Sequence, residues 1–356
     1  MNGPTPEKPG RRPRYHGKNP RHFSEKYKEH QPARYADDVA KVLEGGRTPA
    51  GTHRPILVAE ILEVLAPRPG EVAVDCTLGY GGHARELLGA VQPGGRLLGM
   101  DADPIELPKT EARLRALGFP REALAVKRAN FAGVAQFLAA AAPGGADVLL
   151  ADLGLSSMQI DDPARGCTFK ADGPLDMRLN PEQGASATEL LSRVSAAELA
   201  QMLDENADEP LAPELARAII RAHHRSPLTT TLGLAAVVRE AHARRPVGVA
   251  DDAVRRVFQA IRIAVNDEFE ALAALLRVLP ACVKPGGRVA ILSFHSGEDR
   301  RVKAAFKEGL RDGTYASIAA DVVRATAEER RANPRSSAAK LRFAVRAASP
   351  DQSFNS

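Results

Sequence analysis

Cysteine is scarce in this sequence and badly placed for any shared task. Cys76, Cys167 and Cys282 form no CxxC pair and leave an odd count, which excludes a disulfide framework or a zinc knuckle and leaves them as small buried side chains. No metal site is expected. Long apolar runs are missing too: nothing approaches the roughly 18 consecutive apolar residues of a membrane helix, so no span is expected. Where a secretory signal would need an apolar stretch, the N-terminus reads RRPRYHGKNPRH, and the expected location is cytoplasmic. No internal repeat is found. What remains, 356 residues with 44% hydrophobic and 26% charged content, fits one sizeable core with a second, inserted or appended unit.

The net charge of +5 is unevenly placed. Residues 1–47 hold eleven Lys or Arg against six Asp or Glu, so this stretch carries the whole excess and the rest is neutral overall. A basic arm over residues 1–50, with Tyr15, Phe23, Tyr27 and Tyr35 interleaved, suits phosphate contact and base stacking. It equally suits a merely solvated tail.

Beyond residue 53 the pattern becomes regular. PILVAEILEVLAP reads as a helix and EVAVDCTLG as a buried strand ending in an acid and a glycine. Further strand-like runs lie near 95–103, 124–130, 147–154 and 287–295, with helical stretches between them, the rhythm of an α/β parallel sheet covered on both faces. Residues 163–253 break it: Ala, Leu, Glu and Arg recur at helical spacing without a convincing strand, so this interval is expected to be a helical insertion. The sheet domain is then residues 51–162 with 254–350. AVRRVFQAIRIAVNDEFEALAALLRVLPACVKPGG reads as one long amphipathic helix leading back into the sheet.

Candidate site residues cluster at strand ends. VDCTLGYGGHARELL places Asp75 before a turn containing Gly79, Gly81 and Gly82, then a helix whose N-terminus favours an anion. Such a turn serves several nucleotide ligands, or none. Asp101 in GMDADP follows Gly79 by 22 residues, the distance at which an acid accepts from ribose hydroxyls. That pairing admits S-adenosylmethionine or NAD, although GYGG lacks the full GxGxxG of a pyrophosphate cradle. Asn130 and Phe131 end the third strand, where Phe131 either flanks an adenine or simply packs. Asp152 then opens a long loop rich in Gly, Pro, Ser and Asp, DLGLSSMQIDDPARGCTFKADGPLDMRLNP, at the sheet edge where open α/β folds build their sites.

This loop resembles the RsmH (MraW) methyltransferase family pattern DLGVSSPQLD, RGFSF and GPLDMRMD almost position for position. HRPILVAEIL, DCTLGYGGHA, FQAIRIAVNDE, SFHSGEDRRVK and NPRSSAAKLRFAVR resemble the family's other motifs, so the likeness runs from about residue 53 to 346. The resemblance implies a class I, Rossmann-like methyltransferase sheet with an inserted helical domain for substrate recognition. It implies S-adenosyl-L-methionine as donor and, as substrate, the exocyclic amine of a decoding-centre (P site) cytidine in 16S rRNA of the small subunit. Carried over, Gly81, Gly82 and His83 line the methionine part of the cofactor, Asp101 its ribose and Phe131 its adenine, with Asp152 and Gln159 completing the site.

An amine acceptor needs positioning and a proton acceptor but no covalent intermediate, so neither Cys76 nor Cys167 is expected to act as a nucleophile. Asp152 is the expected acceptor. His295 is either a proton relay or an organiser of its loop. Arg165, Arg178 and Arg342 are candidates for RNA phosphate, Asp172 and Asp176 for loop organisation. The target base must be unstacked to present its amine. Two departures stand out. The insertion reads ENADEPLAPELARAI where relatives carry a Tyr-Gly-Glu-Glu type motif, and Gly297 replaces a usual Leu, which is expected to loosen the loop around His295. A Cys-Pro-rich stretch common in relatives is missing. The rival readings are an amine methyltransferase on another RNA or DNA, a nicotinamide-dependent oxidoreductase and a non-catalytic rRNA-binding assembly factor. A homodimer is left open.

Overall fold

A computed structural model describes residues 55–348 apart from 244 and 246; the basic arm of residues 1–50 lies outside them. Seven strands form one sheet in the order β3-β2-β1-β4-β5-β7-β6. They are β1 (Val72–Asp75), β2 (Arg96–Asp101), β3 (Leu124–Arg128), β4 (Ala146–Asp152), β5 (Val283–Ser293), β6 (Tyr315–Ile318) and β7 (Lys340–Arg346). The first five run parallel, and β7 lies antiparallel between β5 and β6. The basic C-terminal motif is therefore an internal strand as well as a source of charge. From β1 the chain builds outward to β2 and β3, then returns to the other side with β4, so the crevice between the ends of β1 and β4 is the switch point where such sheets bind ligands.

Period-2 alternation explains why these runs read as continuously apolar. In β4, Leu149 and Ala151 face one buried layer while Val148 and Leu150 face the other; in β5, Val289 and Ile291 oppose Ala290 and Leu292 in the same way. One layer is closed by α1 (Val58–Leu65), α2 (Gly82–Ala90) and α3 (Leu107–Arg115), through Ile61, Leu65, Leu87, Leu88 and Leu114. The other is closed by α4 (Val134–Ala141), reached through a 3-10 turn at Phe131–Gly133.

After β4 come the short helix α5 (Ser157–Asp161) and then α6 (Ala187–Arg193), α7 (Ala196–Ala207), α8 (Ala212–Arg225), α9 (Thr231–Ala241) and α10 (Val247–Val265). Their starts are set by side-chain caps: Ser186 with Glu189 and Ser195 with Glu198 form reciprocal capping boxes, and Thr230 accepts from Gly233 N. Leu199, Leu203, Leu215, Ile219, Leu234, Val238, Val257 and Ile261 bury one another in a core distinct from the two sheet layers. The chain position 253 falls inside α10.

The expected single helix through FQAIRIAVNDEFEALAALL is in fact two. α10 stops at Val265, Asp267 takes the left-handed conformation (φ 49°), and α11 (Glu268–Cys282) begins. Asn266 explains the break: its Nδ2 donates to Arg262 O (2.9 Å) and Met177 O (2.8 Å), and its Oδ1 accepts from Leu179 N (2.7 Å). The helix end is thereby used to hold the loop after β4. α12 (Ser296–Arg311) and the short α13 (Ala327–Ala332) complete the described α-helices.

Candidate active site

Three acids end neighbouring strands at the switch point: Asp75 on β1, Asp101 on β2 and Asp152 on β4. Asp75 and Asp152 are joined through one threonine. Thr77 N donates to Asp75 Oδ1 (3.0 Å), and Thr77 Oγ1 accepts from Asp152 N (2.7 Å). Asp75 is 1% exposed, and burial pushes its carboxyl up to about 6 against the opposing hydrogen bond from Thr77 N.

The glycine turn is shaped as much by protein neighbours as by any ligand. Gly79 and Gly81 have positive φ (48° and 78°), a region costly for other residues. A Cβ on Gly81 would sit 2.9 Å from Thr110 Cγ2, and one on Gly82 2.7 Å from Pro55 Cγ. Thr110 Oγ1 also donates to Gly79 O (2.5 Å). Asp101 accepts Gly79 N on Oδ2 (2.7 Å) and Asp103 N on Oδ1 (2.9 Å), which leaves a second lone pair on each oxygen for a diol. The partly buried Phe131 opens the turn before α4, whose first bend is fixed by Asn130 Oδ1 accepting from Ala132 N (3.0 Å).

His83 is buried at the start of α2, and burial lowers its pKa. The ring is therefore neutral, with Nε2–H donating to Ile56 O (2.9 Å), and its Nδ1 lone pair faces Asp152 Oδ2 at 3.5 Å. The Asp152 carboxyl, 30% exposed on the cleft, is pushed up to about 7 by desolvation and by the nearby charge of Glu298. A neutral imidazole offering a lone pair gives the anion no help, so geometry and electrostatics agree on a carboxyl poised near neutrality.

Gln159 lies at 6% exposure with its amide fully engaged: Oε1 accepts from Ser156 N (2.9 Å) and Nε2 donates to Asp103 Oδ2 (2.8 Å). It shapes the loop after β4 as the capping box of α5. Asp103 was not singled out from the sequence, although the doubled acid of GMDADP marks it; it is fully buried.

His295 belongs to its own helix more than to the crevice. It is the N-cap of α12, Nδ1 accepting from Glu298 N (3.4 Å), and its ring packs on Phe269 with centroids 5.6 Å apart. Nε2 lies 3.2 Å from Glu298 Oε1 but out of line for a hydrogen bond, a close electrostatic pair. Of the two sequence readings, this placement is that of a loop organiser. Burial works to raise the Glu298 carboxyl, but His295, the Phe294 N–H and Arg262 outweigh it and hold it below the usual carboxylate range. Ligand atoms of Glu268, His295 and Glu298 lie within 4.8 Å of one another, yet Arg262 holds Glu268 through two bonds (2.8 and 2.9 Å), so a guanidinium already supplies the positive charge there.

Two expectations are corrected. Gly297 does not loosen its loop: the Phe269 ring fills the space, with Cζ 2.6 Å from where a Cβ would stand, and Arg301 stacks on that ring at 3.5 Å while donating to Gly297 O. The three arginines offered for RNA phosphate are engaged internally, Arg165 with Asp103 (2.7 Å), Arg178 with Asp176 (2.7 Å) and Arg342 with Asp299 (2.6 Å). Asp172 and Asp176 do organise the loop: Asp172 Oδ1 accepts from Leu232 N, and Asp176 Oδ1 accepts from Arg178 N.

A sheet ordered 3-2-1-4-5-7-6, with acids ending β1, β2 and β4 around a glycine turn, defines a class I methyltransferase. The chain belongs to the MraW methylase family, whose model matches residues 50–347. It is 48% identical over 342 residues to "Ribosomal RNA small subunit methyltransferase H 1" of Lachnoclostridium phytofermentans, covering 95% of this chain and 93% of that one. To "Ribosomal RNA small subunit methyltransferase H 2" of Alkaliphilus metalliredigens it is 49% identical over 346 residues, 96% and 99% of the two chains. The enzyme named methyltransferase H from Sorangium cellulosum is 42% identical over 295 residues, 83% and 90%.

Proposed function

We propose that this enzyme transfers the methyl group of S-adenosyl-L-methionine to the exocyclic amine of a decoding-centre cytidine, at the P site, in 16S rRNA of the small subunit, giving N(4)-methylcytidine in the cytoplasm. One observation carries it: a cleft-facing Asp152, raised to about 7, stands at the switch point beside Asp101 and the glycine turn, in a chain of the MraW methylase family.

The donor set fits the cofactor. The free lone pairs of Asp101 suit ribose hydroxyls, Phe131 lies where an adenine ring would stack, and Gly81, Gly82 and His83 form the turn against which the methionine part rests. The bound donor supplies an electrophilic methyl on a sulfonium. Cytosine's amine is a weak nucleophile because its lone pair is delocalised into the ring, so the residues here must orient it. Asp152 accepts a hydrogen bond from the amine, aligns its lone pair for in-line attack and takes a proton once the new C–N bond has formed. Thr77 holds the Asp152 peptide in place, Gln159 fixes the loop that carries the acid onward, and His295 keeps Glu298 and the α12 end in register beside it. Residues 51–162 with 254–350 form the catalytic domain, and the helical insertion, residues 163–253, presents the RNA.

The test is transfer of labelled methyl to small subunits from cells lacking the enzyme, with mass spectrometry of the modified nucleoside and an Asp152→Ala control. Labelled N(4)-methylcytidine that depends on Asp152 supports the assignment. Label appearing only in another RNA or in DNA overturns the substrate, and cofactor binding without transfer overturns the catalytic reading.

A further inference from the structure

Asp103 is fully buried, yet no part of the proposed chemistry uses it. Its carboxylate is divided between two duties. Oδ1 accepts the backbone N–H groups of Ile105 (2.8 Å) and Glu106 (3.2 Å), which pins it to the segment entering α3. Oδ2 accepts Gln159 Nε2 (2.8 Å) and Arg165 Nη2 (2.7 Å), two residues of the loop after β4. Arg165 is itself 10% exposed, and its carbonyl accepts from Met177 N (3.0 Å), so it anchors the far limb of the same loop. Gln159 passes the connection to Ser156, four residues beyond Asp152. At the other end, Asp103 N donates to Asp101 Oδ1. Asp103 therefore joins, through its backbone N–H, the acid of the ribose site and, through its carboxylate, both limbs of the loop that begins at Asp152.

A buried carboxylate with four donors has a single low-energy position, and a buried guanidinium facing it cannot be abandoned without leaving a charge uncompensated. Where Asp103 stands thus decides where Gln159 and Arg165 stand. We propose that Asp103 is a positioning residue that couples occupancy of the cofactor site at Asp101 to the order of the loop after β4, through Arg165 and Gln159. This rests on the reading of Asp101 as the ribose acid. Hydrogen bonds from a diol fix the Asp101 carboxylate, which fixes the Asp103 peptide two residues on, and the loop is held only when that support is rigid.

The measurement is hydrogen exchange of peptides covering residues 153–180 in the full chain, with and without S-adenosylmethionine, beside calorimetric cofactor affinity and turnover on small subunits. In the wild type the cofactor is expected to slow exchange of this loop about tenfold or more. Asp103→Asn keeps the oxygen that faces the backbone and loses the charge that faces Arg165. It is expected to bind cofactor about tenfold more weakly, the reciprocal of the cofactor-dependent slowing it loses, and to lose turnover at saturating cofactor by about 30-fold. Arg165→Gln, which leaves Asp103 intact, is expected to give the same pattern should the first variant fold poorly, and the double variant no further loss. Cofactor that binds the wild type without slowing the loop overturns the coupling alone. Slowing retained in both variants also overturns it, as does turnover that saturating cofactor restores, which would place Asp103 in the binding site itself. A wild type that does not bind the cofactor overturns the ribose reading and the coupling with it.

Discussion

His83 with Asp152 and His295 with Glu298 are histidine–carboxylate pairs of similar separation, 3.5 and 3.2 Å, at the edge of the same sheet. Their acids are displaced in opposite directions: Asp152 is pushed up to about 7, and Glu298 is held below its ordinary value. His295 heads the groups that hold Glu298 down, whereas His83 offers Asp152 only a lone pair, and the other donors around Glu298 widen the difference. Glu298 accepts a backbone N–H from Phe294 and lies in the field of Arg262. Asp152 has desolvation, a like charge nearby and a lone pair facing it. Proximity to a histidine is therefore no mark of a catalytic acid in this fold. An acid lacking donors where substrate must enter is such a mark.

The comparison breaks most severely at Asp152. Asp152→Asn keeps the shape and removes the proton acceptor, and turnover should fall by about 10²- to 10⁴-fold, measured as methyl transfer at saturating cofactor. In the wild type, the raised carboxyl is protonated below about 7, so kcat/KM should fall with unit slope as pH drops below that value. A profile flat from pH 5.5 to 8 would remove Asp152 from the acceptor role. The linkage has a definite sign: a raised acid favours the fold below its unfolded pKa and opposes it as pH rises through about 7. Ligand-free Asp152→Asn should thus gain stability relative to wild type between pH 5 and 8.

Glu298→Gln should act on stability before chemistry. Removing a buried charge set against His295 and Arg262 is expected to cost about 3 kcal/mol in denaturant unfolding, while the acid limb of the turnover profile moves to lower pH because a like charge that raises Asp152 is gone. Gly297→Leu restores the residue usual in relatives but meets the Phe269 ring; the expected cost is about 1–3 kcal/mol, and Phe269→Ala in the same chain should recover part of it. The smallest effect belongs to the exposed pair of Arg300 with Asp208, whose side chains are 56% and 53% exposed. Arg300→Ala should change stability by less than about 1 kcal/mol.

Five strands were legible as short apolar runs, and the strand-end acids Asp75, Asp101 and Asp152 could be counted off directly; β6 and β7 were not, because β6 is four residues with two exposed and β7 carries three cations that read as a basic ending. Helical spacing marked residues 163–253, the interval in which α6 to α9 and the first part of α10 lie. What the sequence hid was pairing in space. Asp103 and Arg165 are 62 residues apart, and nothing in GMDADP says which cation will arrive. The end of α10 at Asn266 was invisible to periodicity, because the apolar stripe continues through it and the break comes from side-chain bonds to a loop almost 90 residues earlier. Gly297 misled for the same reason: a missing side chain reads as slack until the Phe269 ring is seen in its place.

The position of β7 has a consequence for how the enzyme comes into being. β7 pairs with β5 along Arg288–Ser293 and is the only described partner of β6, so until residue 346 has been synthesised one side of β5 remains an open edge. Arg335 and Arg342, on the approach to β7 and within it, reach back to Asp161 on the loop after β4 and to Asp299 at the start of α12. A nascent chain can thus lay down β1 to β4 and their glycine turn early, but its active-site loop is fastened by Arg335, translated 174 residues after the Asp161 it holds. Incomplete copies would carry a recognisable cofactor turn with an unlatched loop and a sticky edge, a combination open to proteolysis before it can modify anything.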